Sequence, residues 1–160
     1  MQRSPRERAS ALYWAVDVWT ASRGHAMAVE GLTTVRSSYG PEETINRLEA
    51  EIKARGMIVF AHVDHAAGAA GVGLSLRPTD VLLFGNARGG TPLMQSIQTI
   101  GIDLPLKMLV WRDAAGDTWL SYNDPHWIAK RHGMGQEAEA TVSAMSAALG
   151  ALAKIAAGGL

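Results

Sequence analysis

The sequence predicts a single α+β domain with five strands, running from residue 31 to residue 160. Three observations predict it. Short runs rich in β-branched and apolar residues alternate with segments whose apolar residues recur every three or four positions. Glycine, proline and Asx residues punctuate nearly every boundary between them. The chain ends in an alanine-rich stretch with Val142, Met145, Leu149 and Leu152 on one stripe, the pattern of a long helix packed on a sheet.

Taken in order, Gly31–Ser37 reads as the first strand. Pro41 then opens a helix at its first turn, with Glu42 and Glu43 near the positive end of the dipole. Ile45, Leu48 and Ile52 share one side of that helix, and Gly56 ends it. Met57–Val63 is the second strand, and Asp64 caps a short small-residue helix that runs to Gly73. The segment 77–80 is a turn. Val81–Phe84 is a continuous apolar run, the look of a strand buried on both faces or near a sheet centre.

Gly85, Asn86, Gly89 and Gly90 make the next segment a glycine-bearing loop able to adopt positive φ. Thr91 then reads as the N-cap of a helix with Pro92 at its first position, and Gly101 as its stop. Leu104–Trp111 and Thr118–Tyr122 form a hairpin with Gly116 in the left-handed position of the turn. A short helix follows Asn123-Asp124-Pro125 and stops at Gly133.

A length of 160 residues with 48% hydrophobic content suits one ordinary core. Fifteen basic residues balance fifteen acidic ones, which gives no charge argument for a nucleic-acid partner. The absence of cysteine removes disulfides, thiolate metal sites and cysteine nucleophiles together. Residues 1–30 read as a peripheral N-terminal extension. Arg3, Arg6 and Arg8 precede an apolar run from Ala9 to Val18, but Asp17 interrupts it and no cleavage pattern follows. The run is far short of the roughly 20 residues a bilayer requires. Leu12, Val16 and Trp19 are spaced to share one helical face, and Met27 allows residues 1–26 to be an upstream extension of the frame. No membrane partner and a cytoplasmic location are expected.

The candidate ligand site is the segment Asn86, Arg88, Gly89, Gly90 and Thr91. A glycine-rich turn into a helix start presents free amides, and Arg88 adds a fixed positive charge, so the segment could hold a small anion. It lacks the Gly-Lys-Ser/Thr of a nucleotide-binding P-loop. The plain alternative is that the glycines only turn the chain. Asp64 and His65 are the candidate catalytic residues, an acid/base pair without a nucleophile placed to use it. His62 and His65 face opposite sides of an extended strand, and His126 and His132 are six apart on a helix, so no metal site is expected. Trp111, Trp119 and Tyr122 on neighbouring strands are either cross-strand packing partners or an aromatic pocket wall.

Several motifs arrive in a fixed order: Asp64-His65, Pro78-Thr79, Phe84-Gly85-Asn86, Gly90-Thr91-Pro92-Leu93-Met94, Asp103-Leu104-Pro105-Leu106 and Tyr122-Asn123-Asp124-Pro125. On these the chain, from about Leu32 to His132, resembles the domain of unknown function 302 family. The resemblance implies a curved, mainly antiparallel five-stranded sheet with helices on one face, an arrangement similar to the TATA-box-binding-protein-like fold. It also implies a homodimer. It brings no activity or cofactor, and fold likeness does not carry DNA binding. One position departs from the family pattern: Ala87 stands where proline commonly follows Phe-Gly-Asn. The residues therefore support a small-ligand-binding domain first. The alternatives are an enzyme using the Asp64–His65 pair and a dimeric structural module without ligand.

Overall fold

In the computed structural model, which describes residues 29–159, one antiparallel sheet carries all five strands. The strands are β1 (Leu32–Arg36), β2 (Ile58–Asp64), β3 (Thr79–Gly85), β4 (Leu106–Arg112) and β5 (Thr118–Asn123). The helices are α1 (Pro41–Ala54), α2 (His65–Gly71), α3 (Ala87–Ser96), α4 (Pro125–Arg131) and α5 (Glu139–Ala156). The N-terminal helix suggested by Leu12, Val16 and Trp19 lies outside the described residues.

The sheet order is β1-β5-β4-β3-β2. The predicted α+β class and five strands are present, but β4 is central and β3 lies beside the edge. Nor is the Val81–Phe84 run buried on both faces. Leu82 and Phe84 are fully buried, whereas Val81 and Leu83 are only half-buried on the opposite face. Register explains the division. Leu82 pairs with Met108 and Met108 with Tyr122, while Val110 pairs with Leu120. These residues stack on one face and meet Ile45, Leu48 and Ile52 of α1 and Leu149, Leu152 and Ala156 of α5. The period of two along each strand meets the period of 3.6 along each helix, and one core results. The opposite face carries Trp111 and Trp119, stacked with ring centroids 6.2 Å apart. Their cross-strand pairing is the packing role expected of them, and Tyr122 points the other way, into the core.

The first turn of α5 reaches past the sheet. There Val142 and Ala138 join Leu93 of α3, Ile100 of a short 3-10 helix (Gln98–Ile102), and Ile128 of α4 in a second cluster. Gly31 (φ +75°) is needed at the start of β1. A β-carbon there would be driven into the Trp127 ring, and an L side chain rarely adopts that φ.

The β4–β5 hairpin is closed by one carboxylate. Asp113 Oδ1 accepts from the amides of Ala115 and Asp117, both at 2.9 Å, and Oδ2 accepts from Trp119 Nε1 at 2.8 Å. Gly116, at φ +90°, completes the turn as predicted. The Trp119 indole, helped by the loop amides, holds the Asp113 carboxyl below its ordinary range. A depressed carboxylate stabilises the fold above its unfolded pKa and loses that contribution as pH falls through the folded one. Asp113→Asn is therefore expected to lower stability at neutral pH. It should also remove one component of the acid-induced change in tryptophan emission. Matched pH titrations of emission in the two proteins check this, and superimposable curves would count against it.

Candidate functional site

β3 leads directly into α3, with one residue between them. That residue is Asn86, whose side-chain oxygen accepts from the Gly89 amide at 2.7 Å and caps the helix. The helix begins at Ala87, well before the start that the sequence suggested, and the expected cap at Thr91 with Pro92 at the first position is corrected accordingly. Asn86 outcompetes Thr91 because an Asx side chain following directly on a strand satisfies an amide that would otherwise be orphaned. Pro92 consequently sits inside α3 and leaves the Arg88 carbonyl without a helical donor. The stop also moves. α3 ends at Ser96, and Gly101 falls within the following 3-10 helix. Gly89 and Gly90 are helical and do not take positive φ. Ala87 is the first helical residue, a position where proline is tolerated, so either residue fits there.

A cavity of about 540 Å³ opens beside this helix start. Its sheet side is Met57, Phe60, Phe84 and Leu106. Asn86, Gly89, Gly90, Thr91 and Met94 form the α3 side, and Gly101, Leu104 and Pro105 close one end. Thr141, Ala144, Met145 and Ala148 face them from α5. Phe60 reaches the mouth because β2 bulges there. Val59 pairs with Phe84 and Ala61 with Leu83, leaving Phe60 unpaired and 56% exposed. Small residues keep the space open. A β-carbon at Gly90 would lie 3.4 Å from Leu104 Cδ1 and 3.8 Å from Met94 Cε, ordinary contacts with two residues of the wall.

Of the sequence-selected ligand residues, Asn86, Gly89, Gly90 and Thr91 line this cavity, and Arg88 is exposed and is not part of its lining. Asp64 is an N-cap, accepting from the Ala67 amide at 2.8 Å. His65, the first residue of α2, does not line the cavity. The pair therefore does not open into one cleft with Asn86. Trp111, Trp119 and Tyr122 are not on its walls either.

Tertiary folding builds polar groupings that sequence order hides, and two of them involve His62 and His132. His62 Nε2 meets Asp80 Oδ1 at 2.8 Å across the β2–β3 ladder. The other joins Thr99, Asp103, Arg131 and His132. His132 Nε2 contacts Asp103 Oδ2 at 2.6 Å, and its Nδ1 contacts Thr99 Oγ1 at 3.2 Å. Arg131 adds a second donor to Asp103 at 3.0 Å. The His132 and Asp103 side chains are 8% and 10% exposed, so the pair ties the 3-10 segment to α4 from within. The hint in the sequence was the adjacent Arg131 and His132 at a helix end. Among the described residues, no group of three or more His, Cys, Asp or Glu side chains converges as a metal site.

Three substitutions separate cap from turn. Asn86→Ala is expected to cost about 1 kcal/mol through the lost cap. Thr91→Ala should stay within roughly 0.5 kcal/mol, as an exposed helical position does. Gly90→Ala should stabilise by roughly 0.5–1 kcal/mol, because a helical glycine is replaced without a clash. Urea denaturation of the three variants measures all of these, and a larger loss from Thr91→Ala than from Asn86→Ala would restore Thr91 as the cap.

With the fold and cavity defined, comparison with known proteins is informative. About four-fifths of the chain is 48% identical, over 128 residues, to the "Fluoride-specific ion channel FluC 1" of Brucella suis, of which it covers 50%. The proteins of that name from Brucella abortus and named FluC 2 from Brucella melitensis match at the same identity, with 47% of each covered. The chain thus spans about half the length of these relatives. In three dimensions it is similar to an uncharacterized conserved DUF302 protein from Bacillus stearothermophilus, whose crystal structure superposes with a TM-score of 0.72. That match has 22% identity and covers 80% of this chain and 99% of the other, so it speaks to the fold. The family described as "Domain of unknown function DUF302" matches residues 33–152, and the chain belongs to that family.

Proposed function

We propose that this domain binds a small molecule in the cavity between the start of α3 and the first half of α5. The observation that carries the reading is the cavity itself. Its volume of about 540 Å³ falls in the ordinary range for small-molecule sites, and its walls are apolar with a few polar groups at the α3 rim. The motif that led to the loop in the sequence, Phe84-Gly85-Asn86 through Met94, supplies much of one wall. Binding without chemistry is favoured over catalysis because no titratable side chain among the described residues lines the cavity. The Asp64 carboxylate is engaged as a cap, away from it.

Ligand-detected NMR with a fragment library tests the reading, using the wild type and a Gly90→Leu variant whose side chain would occupy the space beside Leu104 and Met94. Fragments that bind the wild type and lose binding in a still-folded variant are expected. A hit set unchanged by the filling would place binding elsewhere.

The similarity to half of each Brucella channel protein favours a second, compatible reading, in which the domain serves as the ligand-responsive partner of a fluoride channel. No helix among the described residues is long and apolar enough to cross a membrane, so on this reading the conducting part belongs to the other half of those relatives. Fluoride flux through the Brucella suis relative, reconstituted with and without its matching half, addresses this. Conduction that survives removal but loses its response to a cavity-binding fragment is expected. Conduction abolished outright would assign the half to the pore instead.

A further inference from the structure

We infer that the ligand of this cavity is a neutral, mainly apolar molecule carrying a carbonyl-type hydrogen-bond acceptor. The inference rests on the reading that the cavity is a ligand site and goes further, to the chemical class it selects.

Charge comes first. Among the described residues, the walls contain no lysine, arginine, histidine, aspartate or glutamate. Burying an ionised group there would remove its water without providing a counter-ion, a cost that apolar contacts do not recover. Arg88, the cation nearest in sequence, is exposed and outside the lining. Of the α3 amides along the cavity wall, that of Gly89 already donates to Asn86 Oδ1 at 2.7 Å and that of Gly90 to the Asn86 carbonyl at 3.3 Å. Two of the amides that suggested an anion site in the sequence are thus satisfied internally.

Hydrogen bonding narrows the class. The Asn86 oxygen is held by the cap, so the group it can offer a ligand is its Nδ2, a donor that makes no hydrogen bond among the described residues. Across the cavity Thr141 contributes a hydroxyl from α5, and Thr91 another beside Asn86. A carbonyl oxygen suits this rim better than a donor-only head. The body of the ligand meets Phe60, Phe84, Met94 and Met145. Two aromatic rings and two flexible thioethers adapt to a flat ring system, because methionine fills irregular gaps and makes favourable sulfur–aromatic contacts.

The matched pair 2-naphthamide and 2-naphthoate tests the class, since the two share a ring body and a carbonyl and differ in charge. Isothermal titration calorimetry at neutral pH is run on the wild-type chain and on Gly90→Leu, Ala148→Phe, Arg88→Ala and Asn86→Asp. The wild type should bind the amide, with the carboxylate roughly tenfold weaker or more. Arg88→Ala should leave both affinities unchanged. Asn86→Asp keeps an N-cap oxygen but removes the Nδ2 donor, and should weaken the amide several-fold. At least one of the two filling variants, checked for a cooperative melt, should abolish amide binding. A carboxylate that binds as tightly as the amide, or that loses affinity in Arg88→Ala, overturns the neutral class while leaving the cavity as the site. Amide binding that persists in both folded filling variants overturns the site itself. Binding of neither compound overturns both.

Discussion

The structure depends on one constraint, the burial of a single face of the antiparallel sheet. Leu82, Phe84, Met108, Val110, Leu120 and Tyr122 project from three adjacent strands to the same side, and α1 and α5 cover them. Burial of a leucine- or phenylalanine-sized side chain contributes about 1.5–3 kcal/mol, so this layer outweighs any surface ion pair in the molecule. The same layer positions the remaining helices. The start of α5 also meets α3, α4 and the 3-10 segment through Val142, and the second cluster forms there.

The cavity is a consequence of that meeting of elements together with residue size. Gly90, Gly101, Ala144 and Ala148 stand where larger side chains would fill the space between α3, the 101–105 segment and α5. The floor is Phe84, fully buried and shared with the main core, so the cavity rests on the most rigid part of the fold. The rim is made by Asn86, which both ends β3 and starts α3. The Asp103–His132 pair supports the cavity from behind, since it anchors the segment that carries Gly101 and Leu104.

The relatives place this architecture in a context that the fold alone does not supply. A domain of this family accounts for about half of each Brucella protein named as a fluoride channel.

Local sequence determined most of the elements. Pro41 with Glu42 and Glu43 set the start of α1, Gly56 its end, Asp64 the cap of α2, and Gly116 the hairpin turn. Each of these is decided by one residue and its immediate neighbours, through φ preference or a side-chain bond to a nearby amide. The motif from Asn86 to Thr91 was legible as important for the same reason. Its geometry was not, since Asn86 and Thr91 competed as caps and the choice depended on where β3 ended. Only the tertiary structure decided that β4 is the central strand, that a bulge turns Phe60 into the cavity mouth, and that Asp103 meets His132. Pairing order, register shifts and contacts across 29 residues depend on how elements pack against each other. The character of the site belongs to the same category. Ala144 and Ala148 carry no signal of their own in the sequence, and with Gly90 and Gly101 they leave an apolar space because three separate segments meet there.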